Sequence, residues 1–327
     1  MTTTVHEVVD VKIPHAGKVP SDLLGVGDFS PAQVAEVLDL AASVKANPAA
    51  YAGKLAGKSA VLIFEKPSLR TRMSFEIGLA KLGATAVFHD HSAQRIGARE
   101  SVKDYAKNLE RWVDLIVART FSHDVLAEMA AWSRVPVVNA LSDLEHPCQA
   151  LADLFTLREV YGSFEGLKLA YVGDGNNVAH SLVLACASLG VDVTVVTPTG
   201  FEPQFAVLKQ AAAIAKGTGS KVTVSHDPKA IRGHHAVYTD TWVSMGQDHQ
   251  RAQRESVMGA YRVSEKLMAL ASEGLDEAAV FMHCLPAHRG EEVTAGVIDG
   301  DRSLVYDQAE NRLHVQNAVM LMLFGAA

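Results

Sequence analysis

The chain has 327 residues, more than the roughly 250 to 300 at which one hydrophobic core stops growing, so two domains sharing a cleft are expected. Hydrophobic residues at 48% and charged residues at 20% are ordinary globular values and exclude a mainly disordered chain. A net charge of −7 excludes a surface built to neutralise nucleic acid or an anionic membrane, so any anionic substrate has to be held locally.

Met1 to Val19 carries His6, Glu7, Asp10 and Lys12 among its apolar residues, which is not the uninterrupted core of a signal peptide; residues 1–20 are read as an N-terminal extension. Ser30-Pro31 then reads as an N-cap followed by proline at the first helical position, opening an amphipathic helix with Val34, Val37, Leu38 and Leu40. Strands are expected at Ala60 to Phe64, Thr85 to Phe88, Leu115 to Ala118 and Val135 to Val138, with a helix from about Thr71 to Leu82. A long helix from Cys148 to Tyr161 stops at Gly162. The alternation restarts with strands at Leu167 to Val172, Val191 to Val196, Lys221 to Val224, Ala236 to Thr239, Val280 to Met282 and Leu304 to Tyr306, and a last helix is expected from Ala309.

Short, nearly continuous apolar strands between helices indicate parallel sheets covered on both faces. The expected fold class is therefore α/β, with two doubly wound parallel-sheet domains, residues 21–162 and 163–308, joined by long helices and sharing a cleft. No later stretch offers about 18 consecutive apolar residues, so no membrane span is expected. Cys148, Cys186 and Cys284 lack the spacing of a zinc site or a disulfide framework, and a reducing, cytoplasmic setting is expected.

Ligands of open parallel sheets bind beyond the carboxyl ends of the strands, and five polar clusters follow apolar runs. In Phe64-Glu65-Lys66-Pro67-Ser68-Leu69-Arg70-Thr71-Arg72, hydroxyls and guanidinium groups sit on the first turn of a helix, which suits a phosphate. The glycines and the Gly-Lys-Ser or Gly-Lys-Thr ending of a nucleotide P-loop are missing. His146-Pro147-Cys148-Gln149 can direct His146 and Gln149 at a carbonyl or amide, or can simply cap a helix.

Gly173-Asp174-Gly175-Asn176-Asn177 has two glycines of a dinucleotide turn but not the third, while Asn177 suits a carboxylate or amine. Asp240 ends a strand ahead of Ser244 and Met245, as an ammonium ligand or as a helix cap. His283-Cys284-Leu285-Pro286 leaves Cys284 as nucleophile, proton acceptor or buried apolar group.

In this order the five clusters resemble the aspartate and ornithine carbamoyltransferase superfamily, whose phosphate signature is Ser-x-Arg-Thr-Arg. The likeness spans nearly the whole chain from residue 21. Asp240 to Gly246 and His283 to Pro286 match signatures of its ornithine branch. The resemblance implies that Ser68, Leu69, Arg70, Thr71, Arg119 and Arg312 hold the phosphate of carbamoyl phosphate, with Arg312 on a last helix, 309–327, that returns to the first domain. His146 and Gln149 orient the carbamoyl group, Asn177, Asp240, Ser244 and Met245 hold L-ornithine, and Cys284 and Leu285 lie between the two substrates.

Leu69 stands where Thr or Met is frequent. Many relatives place a phosphate-binding Gln two residues before Gly97, a position that is Arg95 here, with Gln94 just before it; Gln94 is assigned to that contact. The implied chemistry uses no metal and no cofactor. Cys284 and Asp240 orient or deprotonate the δ-amine, while Arg119, His146 and Thr71 polarise the carbamoyl oxygen. The products are citrulline and phosphate, within arginine biosynthesis, and the implied assembly is a homotrimer or a multiple of it. Competing readings are another acceptor (putrescine, N-acetylornithine or aspartate), a nicotinamide-dependent dehydrogenase built on Gly173 to Gly175, or a small-anion binding protein.

Overall fold

The structure, a computed structural model, describes residues 21–243 and 251–327, the latter without side chains for 251–253. The N-terminal extension and the positions of Ser244 and Met245 lie outside the described residues.

The first helix, α1 (Pro31–Ala46), begins as expected: Ser30 and Gln33 form a reciprocal capping box, with proline at the first helical position. Four strands follow, β1 (Ser59–Phe64), β2 (Thr85–Asp90), β3 (Leu115–Arg119) and β4 (Val137–Leu141). They alternate with α2 (Leu69–Lys81), α3 (Val102–Leu109) and α4 (His123–Trp132). All pair in parallel in the order β2-β1-β3-β4. The free edge of β4 is covered by the segment around Leu23, which exchanges backbone hydrogen bonds with Val137 and Asn139 at 2.9 and 2.8 Å.

α5 (Pro147–Tyr161) crosses to the second sheet and ends at Gly162, whose φ of 73° a side chain would resist. The second sheet comprises β5 (Lys168–Val172), β6 (Asp192–Val196), β7 (Val222–Ser225), β8 (Ala236–Tyr238) and β9 (Val280–Met282), all parallel, in the order β7-β6-β5-β8-β9. Its helices are α6 (Asn177–Leu189), α7 (Phe205–Thr218), α8 (Arg251–Met258), α9 (Glu265–Ala271) and α10 (Ala295–Ile298).

The run Leu304 to Tyr306 is not a strand. Ser303 makes one isolated bridge to Phe281, Leu304 caps a helix, and α11 (Val305–Leu323) starts earlier than the expected Ala309. Three apolar residues suit the first turn of a buried helix as well as a strand, and Asp307 favours the helix N-terminus. α11 packs against α1, α2 and α5, and α5 packs against α6. One apolar core therefore runs from Leu62 and Phe75 through Leu151 and Val319 to Leu169 and Val183.

Strand order locates the crevices. In the first sheet the chain leaves β1 for β2 on one side and β3 on the other; in the second, β5 is flanked by β6 and β8. These are the topological switch points where open parallel sheets bind ligands. The expected polar clusters follow β1 and β4 in the first sheet and β5, β8 and β9 in the second, and those after β1, β5 and β8 lie at the switch points.

Candidate active site

At the first switch point, β1 leads through Glu65-Lys66-Pro67 into α2, where the Ser68 hydroxyl accepts from the Thr71 N–H at 3.3 Å. A helix start leaves backbone N–H groups unpaired at the positive end of the dipole, which favours an anion. The register of β1 with β3 sets Arg119 beside Phe64. α11 brings in Arg312, which donates through Nη2 to Thr71 Oγ1 at 3.0 Å and through Nη1 to Gln149 Oε1 at 2.6 Å. His146, buried at the start of α5, is held by its backbone N–H on Ser181 Oγ at 2.8 Å.

The charge here is one-sided. Among the described residues no carboxylate lies within ion-pair distance of Arg70, Arg119 or Arg312. Burial, then the like charges of Arg312 and Arg70, lowers the Arg119 guanidinium to about 10. Burial also lowers Arg312. Burial and the three guanidinium groups push His146 well below the usual histidine range, so its imidazole is neutral at pH 7. Arg119 Nε, Arg312 Nε and His146 Nδ1 are buried with no hydrogen-bond partner. Buried, unpaired donors in a cluster of like charge fit a multiply charged anion with a carbonyl beside it.

At the second switch point Asp240 follows β8 and Cys284 follows β9. Cys284 Sγ donates to Asp240 Oδ1 at 3.2 Å, and Asn176 Nδ2 donates to Asp240 Oδ2 at 2.7 Å. Asn176 also caps α6 by accepting from the N–H groups of Val178 and Ala179. Among the described residues no cation lies within ion-pair distance of Asp240, which leaves its charge for an ammonium group. Burial and the adjacent Asp240 push the Cys284 thiol well above its ordinary value. The thiol is therefore the donor in its bond to Asp240. Leu285 adopts a φ of 59°, rare for a side-chain-bearing residue, and its N–H donates to His283 Nδ1 at 2.9 Å.

Asn177 Nδ2 donates to the Ser142 carbonyl at 2.7 Å, tying α6 to the segment that precedes His146. Gln94 is exposed, and its contacts are backbone ones with His91. Among the described residues nothing joins it to the guanidinium cluster. Its neighbour Arg95 stacks on Phe121 with its guanidinium carbon 2.9 Å from the ring centre and lies 3.6 Å from Glu65 Oε2. A contact from Gln94 to the guanidinium cluster of its own chain would therefore need the loop to move.

Sequence reasoning passed over Lys66, which is buried beside Arg119 and lowered to about 8 by burial and that charge. It also passed over Asn176, although an Asn ahead of an apolar helix is a capping signal. Asp240, His283 and Cys284 place donor atoms within 4.8 Å of one another, as do His288, Glu291 and Glu292. In the first trio the His283 Nδ1 and the thiol are already engaged in internal hydrogen bonds.

Family comparison agrees with this geometry. Residues 21–159 match the family described as aspartate/ornithine carbamoyltransferase, carbamoyl-P binding domain, and residues 165–323 match its Asp/Orn binding domain. The chain is 49% identical over 301 residues to an ornithine carbamoyltransferase of Shewanella oneidensis, covering 92% of this chain and 98% of that one. It is 50% identical over 302 residues to one of a Vibrio species, covering 92% and 99%. Among solved structures, the ornithine carbamoyltransferase of Pyrococcus furiosus superposes with a TM-score of 0.89 at 42% identity, covering 94% of this chain and 98% of that one. That of Thermus thermophilus gives 0.83 at 45%, covering 94% and 99%. With both halves matched and the paired crevices in place, this chain belongs to the aspartate/ornithine carbamoyltransferase family.

Proposed function

We infer that the chain transfers the carbamoyl group of carbamoyl phosphate to the δ-amine of L-ornithine, giving L-citrulline and phosphate. The observation that carries this reading is the pairing of opposite charges: among the described residues Arg70, Arg119 and Arg312 gather at one switch point with no carboxylate in ion-pair distance, and Asp240 stands at the other with no cation in ion-pair distance. A phosphate answers the first and an ammonium group the second. The nicotinamide reading loses its support, because Gly175 abuts the backbone of Glu202 and Pro203 and the third glycine is absent.

The phosphate sits on the start of α2, against Ser68, Arg70 and Thr71, with Arg119 and Arg312 over it. The neutral His146 donates to the carbamoyl oxygen, and Gln149 orients the carbamoyl amide. Ornithine's δ-amine, with a free pKa near 10.4, is neutral in on the order of one molecule in a thousand at pH 7. The amine's lone pair attacks the carbamoyl carbon, the bond from that carbon to the phosphate oxygen breaks with its electrons going to phosphate, and the amine proton leaves with the phosphate. The fixed donors stabilise charge that develops on the carbamoyl oxygen. Asp240 holds the α-amino end of ornithine, with the Cys284 thiol fixing the Asp240 carboxylate.

The biosynthetic direction toward arginine and a cytoplasmic setting belong to the same reading. So does a homotrimer. Leu69, Met73 and Ile77 form a stripe on α2 that is 72%, 44% and 41% exposed, next to Val87 on the edge strand β2 at 52%. An apolar stripe beside an open edge supports contact with a second copy.

The test is direct: purified protein is given carbamoyl phosphate with ornithine, putrescine, N-acetylornithine or aspartate at pH 7 to 9. Citrulline from ornithine, well ahead of any other carbamoylated product, is the expected result. No citrulline, or a faster reaction with another acceptor, removes the assignment. Light scattering that gives the mass of one chain removes the trimer.

A further inference from the structure

α5 carries one carboxylate within the core. Asp153 is fully buried one turn beyond Gln149, and its Oδ1 accepts two hydrogen bonds, from Gln149 Nε2 at 2.8 Å and from Gln308 Nε2 on α11 at 2.7 Å. A side-chain amide has a donor end and an acceptor end, and this shared oxygen decides which way each one stands. With its Nε2 on Asp153, Gln149 turns Oε1 to Arg312 at 2.6 Å. With its Nε2 on Asp153, Gln308 turns Oε1 to the backbone N–H of His283 at 3.0 Å, so the acceptor oxygen is itself held from a second element. Reversing the Gln149 amide would set its NH2 against the Arg312 guanidinium, donor facing donor, and its oxygen against the Asp153 carboxylate.

The other side of Asp153 is closed as well. Tyr238 on β8 and Cys186 on α6 face it, Arg312 approaches from α11 and Cys284 from the end of β9. Arg312 has no acceptor to offer Gln149 Nε2, and the Tyr238 hydroxyl is turned to Asp153 as a donor.

We propose that Asp153 is a positioning residue for the transfer, fixing the amide of Gln149 so that its oxygen faces the carbamoyl end of the first substrate. This deepens the carbamoyl-transfer reading and rests on it. Asp153 touches no substrate. It acts through Gln149, so its influence falls first on the amide end of the ligand; at the phosphate end Arg312 stands with Ser68, Arg70 and Arg119 and keeps its own anchor on Thr71 at 3.0 Å when the contact to Gln149 is lost.

The experiment uses two probes in calorimetric titration of the full chain: phosphonoacetamide, which carries an amide beside its phosphonate, and inorganic phosphate, which does not. Asp153→Leu removes the acceptor while filling the space, and Asp153→Asn keeps an oxygen for both amides. Asp153→Leu is expected to weaken phosphonoacetamide about tenfold, the loss of one well-placed hydrogen bond, and to leave phosphate within about twofold. Asp153→Asn is expected to keep both within about threefold. In a Gln149→Ala background, Asp153→Leu is expected to change neither.

Equal weakening of both probes by Asp153→Leu would mean a general loss of structure and overturn the proposal. So would a tenfold loss with Asp153→Asn, a readout that stands even if the leucine variant does not fold. Wild-type protein that binds phosphate but shows no preference for phosphonoacetamide would instead remove the carbamoyl-transfer reading beneath it.

Discussion

Arg312 places its Nη2 3.0 Å from the hydroxyl of Thr71, a residue 241 positions earlier in the chain. One guanidinium from the last helix thus closes the pocket that the first strand opens, and it does so among two other arginines; the carboxylate that approaches it, Asp153, makes no ion pair with it among the described residues. Such a group weakens the empty fold while it serves the ligand.

Arg312→Met should separate those two effects. Loss of kcat/KM for carbamoyl phosphate is expected to be roughly 100-fold or more, the scale of removing one preorganised donor. The melting temperature of the ligand-free variant should stay equal to the wild type or rise, because an apolar side chain of similar length replaces a buried like charge. Thermal melts without substrate check this; a clearly lower melting temperature would show that the contacts to Gln149 and Thr71 outweigh the repulsion.

Inorganic phosphate should stabilise the protein through the same cluster. At a concentration of 100 times its Kd the expected gain is about 2.7 kcal/mol. Arg70→Ala should flatten the response of melting temperature to phosphate, and unaltered stabilisation in that variant would move the phosphate elsewhere.

Across the cleft, Asp240→Asn should raise KM for ornithine by roughly 10- to 100-fold, the range for losing a charge-assisted bond, while the affinity for carbamoyl phosphate changes little. Cys284→Ser keeps a donor toward Asp240 and should be far milder. The wild-type thiol, held protonated, should react with iodoacetamide much more slowly at pH 8 than a free thiol does. Initial rates and alkylation followed by mass spectrometry test both statements.

Stability should also depend on pH through Glu145, buried just before His146. Its Oε2 accepts from the Val26 N–H and the Ser181 hydroxyl, each at 2.9 Å, yet burial raises the carboxyl from the usual 4.5 to about 7. A carboxyl raised on folding stabilises fully below its unfolded value, and the benefit is lost as pH rises through the folded value. Glu145→Gln, which keeps the acceptor, should therefore gain on the wild type between pH 5 and pH 8, by up to about 3 kcal/mol. Denaturant titrations at both pH values decide it; an equal difference at pH 5 and pH 8 would mean Glu145 is ionised throughout.

The alternating apolar runs made the two parallel sheets legible, since strands buried on both faces leave a plain signal. The anion site was legible for the same reason that makes it work: Ser68, Arg70 and Thr71 crowd one helical turn, where local sequence and local geometry coincide. Strand order was not legible, because it arises from long-range packing, and with it the switch points that explain why Arg119 and Asp240 matter. Leu304 to Tyr306 misled because three apolar residues carry no period. Asp153 and Gln308 gave no signal at all: a polar residue on an apolar helix reads as a solvent-facing position until a partner from another helix is seen. Asn176 and Asn177 differ only in the register of one helix start, which composition does not specify.

The nine strands among the described residues all being parallel, the polar clusters gather at one end of both sheets, and the described residues at the other end are returns from helix to strand. There the Gly162 to Gly166 turn is mostly exposed, and a Cβ at either glycine would meet nothing within 4 Å. The molecule thus has a working end and a quiet end. A short insertion at that turn is expected to leave the chemistry at the far side unaltered.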